Sequence, residues 1–174
     1  NASGYASMAQ GFLANATANY SIAHGYQANA NHQSAIAIGN SSTASYFDAI
    51  AIGNGSTASN FSSIALGAYS NARRNDTIAI GNASQAIEDN TIAIGNNSRA
   101  SYTYAIAIGD SSRASRDFSV AIGAYANATA PHTIALGEIA SATGQGATSL
   151  GTGASASGEY SLALGMYANG SGYT

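Results

Sequence analysis

The chain has no cysteine, no tryptophan and no lysine, a single proline at Pro131, and charged side chains at only 7% of its 174 positions. Without cysteine there is neither a disulfide framework nor a thiolate metal site, and the redox compartment stays open. A net charge of −3 gives no electrostatic basis for holding nucleic acid or an anionic membrane. No apolar run approaches the ~18 residues of a membrane span, and no basic-then-apolar leader opens the chain. Direct membrane insertion of this stretch is therefore not expected. Large apolar side chains are scarce as well. Alanine supplies much of the 45% apolar content, so a conventional core of big side chains is not available. Low charge with that apolar content also argues against a charge-rich disordered segment.

What is present is a repeat. Glycines fall at 11, 25, 39, 53, 67, 81, 95, 109, 123, 137, 151 and 165, twelve positions spaced by 14 without insertion or deletion. Short apolar runs precede them, such as Ala35-Ile36-Ala37-Ile38 and Ser119-Val120-Ala121-Ile122. Five places after each glycine stands an alanine, from Ala16 to Ala156, failing only at Gly170. Three places after it the residue is always alanine or serine. Asn1 falls inside this register, so residues 1–174 read as a single repeat domain cut from a longer protein, with targeting and anchoring parts outside it.

A unit of 14 residues is too short for a helix pair and suits two short β-strands with two turns. The apolar run is the first strand and a small-residue run such as Ser42-Thr43-Ala44-Ser45 the second. The repeat glycine supplies a corner that other residues resist. Constant repeat length then predicts an all-β solenoid of about twelve coils, with parallel in-register ladders and ~4.8 Å between coils. All fifteen aromatics lie one, two, seven, eight or nine places after a repeat glycine, hence on turns and never on strands. In the first strand Ile36 and Ile38 point one way and Ala37 the other, so both faces are apolar. Such strands are covered on both faces, and one coil covers only one. An obligate homo-oligomer follows, with an aliphatic ladder from each subunit packed centrally.

The unit Ser-Ile-Ala-Ile-Gly-x-x-Ser-x-Ala resembles the head repeat of YadA-like trimeric autotransporter adhesins, and the resemblance covers essentially the whole chain. It implies a left-handed parallel β-roll assembled as a homotrimer, carried on a coiled-coil stalk and anchored in an outer membrane by a domain elsewhere. It also implies an extracellular, cell-surface head that binds matrix proteins, cell-surface glycans or other surfaces. In one branch of the family the repeat motif is implicated in collagen binding. Two features depart from the pattern. Glycine seven places after the repeat glycine occurs only at Gly144, Gly158 and Gly172, and lysine is missing altogether.

No catalytic set emerges. Serine is plentiful, but no Ser/His/Asp register is suggested, and no glycine-rich loop opens a helix. No enzyme activity, metal or cofactor is expected. His32 and His132 read as solvated turn residues. Gln10 and His24 occupy the place held later by Ile38, Ile52 and Leu66, where symmetry would make them a polar ring on the axis or a frayed end. Tyr69, Tyr125 and Tyr167 share one corner position and form a candidate platform for a partner or a glycan. Asn1, Asn15, Asn19, Asn40, Asn54, Asn60, Asn75, Asn82, Asn96, Asn127 and Asn169 each begin an Asn-x-Ser/Thr sequence, the N-glycosylation acceptor of secreted chains. Serine recurring in the register produces many of these automatically. The alternative function is a structural repeat of an extracellular filament or of a viral or phage fibre, bearing such glycans. An ice-binding solenoid needs a flat file of threonines, which Asn71, Gln85, Arg99 and Arg113 interrupt.

Overall fold

Fourteen residues suffice for two strands and two turns, and the computed structural model, which describes residues 1–172, uses them in that way throughout. In the coil that starts at Ile36 the long strand is Ile36–Ile38 and the short strand Thr43–Ala44. Between them Ser42 donates its N–H to Gly39 O (3.4 Å), and after the short strand Ala49 does the same to Tyr46 O (3.3 Å). The third residue of each turn, Ser41 and Asp48, has φ near +54°, while the second does not have positive φ. Both corners are thus type II turns. The strands are shorter than the apolar and small-residue runs suggested, three and two residues, because the two four-residue turns consume the run ends. No helix occurs among the described residues.

These turns set an unusual demand. Twenty-one non-glycine residues have φ between 49° and 60°, and with Gly55, Gly146 and Gly153 they occupy every third-turn position among the described residues. Side chains as large as Tyr69, Phe118 and Ile139 are held there, in a region that costs L-residues about 1 kcal/mol or more. The repeat glycine answers a different demand. Its φ lies between 115° and 137°, and a Cβ on Gly109 would stand 2.4 Å from Gly123 O in the next coil. Both the conformation and the close backbone approach exclude a side chain.

Each coil points four side chains inward. In the coil of Ile36 they are Ala35, Ala37, Ser42 and Ala44, all fully buried. Threonine is the largest fully buried residue among those described. Most inward hydroxyls are satisfied by the turn they follow, as where Ser42 Oγ donates to Gly39 O (3.0 Å) and Thr91 Oγ1 to Glu88 O (2.7 Å). Ser149 Oγ donates to Ala154 O instead, and Ser161 Oγ finds no partner. A core this thin contributes little by area. Hydrogen bonds between coils supply the complement, and they continue through the corners, as in Gly55 N–H to Asn40 O and Tyr69 N–H to Asn54 O, both 2.8 Å.

The coils fall into two compact units, Asn1–Ile87 and a second that begins at Glu88, with six long and six short strands in each. In the first, Ile36 pairs with Ile50 and Thr43 with Thr57, parallel and in register. In the second, Ile106 pairs with Val120 and Arg99 with Arg113 in the same manner. The expected parallel ladders and the turn positions of the aromatics are both present. Tyr173, one of the aromatics placed on a turn, lies outside the described residues.

Candidate functional site

With the interior filled by alanine and serine, every distinctive side chain is on the outside, in files set by the 14-residue period. Four files matter: two outward places of the long strand, one of the short strand, and the two third-turn corners taken together.

The long strand turns Ile36 and Ile38 outward, opposite the buried Ala37. The same holds for Ile50 and Ile52, Ile64 and Leu66, and Ile78 and Ile80 in the first unit. The second unit repeats it with Ile92 and Ile94, Ile106 and Ile108, and Val120 and Ile122. Each aliphatic is half-buried by its in-register neighbours, yet Leu66 is still 41% exposed and Leu164 66%. Gln10 and His24 continue the file at its start, both exposed, with His24 Nδ1 3.1 Å from Gln10 Oε1. The polar pair is therefore joined within one chain.

The short strand turns outward Asn15, Asn29, Thr43, Thr57, Asn71 and Gln85 in the first unit. In the second it presents Arg99, Arg113, Asn127, Ser141, Ser155 and Asn169. This face is polar in every coil.

The three candidate platform tyrosines occupy the third residue of the first turn, at φ 55–58°, and are exposed by 62% (Tyr69), 59% (Tyr125) and 68% (Tyr167). They do not stack on one another, since Tyr125 and Tyr167 are three coils apart, about 14 Å. Tyr69 and Tyr167 instead lie over a glycine of the preceding coil. A Cβ on Gly55 would meet the Tyr69 ring at 3.0 Å, and one on Gly153 the Tyr167 ring at 2.6 Å. Tyr125 follows Ser111 and borders an open depression of about 330 Å³ lined by Ser111, Arg113, Tyr125, Ala126 and Asn127.

The second turn carries most of the aromatic stacks, which the sequence reading did not identify; the first turn holds Phe12 stacked on Tyr26 at 5.7 Å. Tyr104, Phe118 and His132 form a ladder with centroid spacings of 5.0 and 5.1 Å and interplanar angles of 15° and 4°. In the first unit His32 stacks on Tyr46 (4.7 Å), and Tyr46 meets Phe61 edge-on at 4.4 Å. His32 and His132 are thus ring-stacked rather than merely solvated, because successive coils place one ring a coil-spacing above the next. The signal available was their shared place with Phe118 and beside Phe47. Arg116 adds a cation–π contact with Tyr102 at 5.1 Å.

The sequons divide by the fate of their hydroxyl. Behind Asn19, Asn40, Asn54, Asn75, Asn82 and Asn96 stand Ser21, Ser42, Ser56, Thr77, Ser84 and Ser98, all fully buried. Their hydroxyls donate to the turn carbonyl three residues back, at 2.7–3.1 Å. The hydroxyls after Asn1, Asn15, Asn60, Asn127 and Asn169 are not buried. Among the described residues no group of three His, Asp or Glu side chains is arranged to hold a metal.

Comparison with known proteins agrees with this geometry. The YadA head domain repeat matches residues 2–28, 25–42, 47–70, 75–98, 100–126, 119–138, 128–148 and 142–168. Among solved structures, the collagen-binding domain of the Yersinia adhesin YadA superposes with a TM-score of 0.65 at 29% identity, covering 84% of this chain and 70% of that one. No curated protein sequence matches significantly. Twelve coils closed by a repeat glycine, lined with alanine and faced with isoleucine, matched by repeat segments along nearly their whole length, place this chain in the YadA head domain family.

Proposed function

We propose that the chain is the adhesive head of a cell-surface protein, a homotrimer whose subunits bury their long-strand faces against one another and present turns and short strands outward. The observation that carries this reading is the outward file of isoleucine, valine and leucine on the long strands, in coil after coil. Strand sheets apolar on both faces are covered on both faces, and here the chain itself covers only the alanine side. Three copies around one axis bury the aliphatic side of each. Gln10 and His24 then form a polar ring on that axis, and residues 1–174 act as one repeat domain of left-handed hand.

The likeness to a collagen-binding domain makes extracellular matrix protein the first ligand class to test, with cell-surface glycans second. Attachment, rather than turnover, is the proposed activity. An anchor in an outer membrane, supplied by another part of the protein, completes the picture. The test is twofold. Sedimentation equilibrium should give three times the chain mass of 17.3 kDa at micromolar concentration. Beads coated with the trimer should adhere to immobilised collagen or to cells. A folded monomer would reject the assembly, and beads that adhere to neither would reject the adhesin. Continued repeats or a capsid-binding segment in the full-length protein would favour the fibre alternative over a stalked adhesin.

A further inference from the structure

We propose that the short-strand face of the second unit binds an acidic saccharide at Arg113 and Tyr125, which names a ligand class for the adhesive head and rests on that reading. Arg99 and Arg113 are paired in register on neighbouring short strands, and both are exposed. Like charges directly opposite in a ladder repel. Arg99 Nε donates to Ser101 Oγ at 3.0 Å, whereas the Arg113 guanidinium has no hydrogen bond or ion pair among the described residues. The outward places beside Arg99 and Arg113 on their own coils hold no carboxylate; they are Asn97 and Ser111 on one side and Ser101 and Ser115 on the other. The Asp110 carboxylate next to Ser111 accepts from Asn96 Nδ2 at 2.9 Å. An anion seated beside the two guanidiniums removes the repulsion.

The surroundings specify what carries the anion. The depression of about 330 Å³ beside Arg113 is walled by the exposed Tyr125 and bordered by Ser111 and Asn127. It sits at the lower end of the size range of small-molecule sites. An aromatic face suits the C–H face of a pyranose, and the guanidinium fork suits a carboxylate or sulfate on the ring. The Asn127 amide and the Ser111 hydroxyl match neighbouring sugar hydroxyls. A nucleic acid is a poor fit, because two cations on a chain of net charge −3 give little phosphate affinity. Tyr69 and Tyr167 lack this setting. Their rings lie over Gly55 and Gly153, and the short-strand residues of their own coils are Asn71 and Asn169.

The experiment is calorimetric titration of the whole chain with three hexasaccharides: hyaluronan (carboxylate only), chondroitin 4-sulfate (carboxylate and sulfate) and chitohexaose (neutral). The acidic sugars are expected to bind and the neutral one not. Arg113→Gln should weaken binding at least about tenfold, the loss of one charge-assisted contact, and Tyr125→Ser should weaken it as well. Both substitutions are structurally safe, since Gln85 and Ser41 hold the same places in other coils. Arg73→Gln, in the first unit, should change nothing. Binding of hyaluronan assigns the carboxylate as the recognised group, and binding of chondroitin sulfate alone assigns the sulfate. Equal binding of chitohexaose, unchanged affinity in Arg113→Gln, or no binding of either acidic sugar at millimolar concentration overturns the proposal. If the beads still adhere to collagen in that case, the adhesin reading stands and only this site falls.

Discussion

The two outer faces of each coil share a backbone, a period and an alanine interior, yet they carry opposite chemistry. The long-strand face bears isoleucine, valine and leucine at two places per coil. The short-strand face bears threonine, asparagine, glutamine, serine or arginine at one. Nothing in the fold of a single chain requires the difference, because the outward side chains of both faces leave the interior unchanged. The contrast is what the proposed assembly calls for, a partner subunit against the apolar face and water against the polar one. In solenoids the coil is constant and the outer files hold the specificity.

The sharpest way to break this contrast is to make the faces alike. Replacing Ile50, Ile64 and Ile78 together with asparagine should abolish assembly, because polar amides would be buried without partners at the proposed subunit interface. The mirror change, Thr43, Thr57 and Gln85 to asparagine, should leave the oligomer intact, as Asn71 already occupies that place. Sedimentation velocity of both triple variants reads the outcome, and equal behaviour would refute the assignment of faces.

Next in size is the corner that joins the faces. Gly109→Ala would force a Cβ to 2.4 Å from Gly123 O at φ +131°, so a loss of roughly 2–4 kcal/mol is expected, seen as a fall in Tm. A smaller effect comes from the interior that both faces share. Ser112→Ala removes the O–H bond to Gly109 O, and about 1 kcal/mol should be lost in denaturant unfolding. No void follows, since Ala126 fills the same place one coil on. The smallest change is a gain. Ile139 is β-branched at φ +51°, and Ile139→Asn should stabilise by up to about 1 kcal/mol, as Asn97 holds the equivalent place at φ +53°. A loss of stability there would show that the isoleucine packs usefully at its corner.

The sequence by itself determined the coil. A glycine every 14 residues, alanine five places on, and period-2 apolar runs leave one economical solution, two strands and two turns stacked in register, because any other fold breaks the period. It also determined which residues stay out of the interior, since a coil closed by small side chains has no room for Tyr69 or Arg113 inside. The direction of Ile36 and Ala37 was legible only as an alternation. The tertiary structure decided that alanine faces in, because the two sheets approach too closely for isoleucine between them. It also decided the turn type, which demands positive φ of residues as unlike as Tyr125, Ser41 and Ile139 and so leaves no compositional mark beyond the occasional glycine. The same holds for function. The corner tyrosines were visible as a file, but which of them stands beside a cation and which covers a glycine depends on the coil below. Residues 14 apart touch only after the chain has closed a full turn.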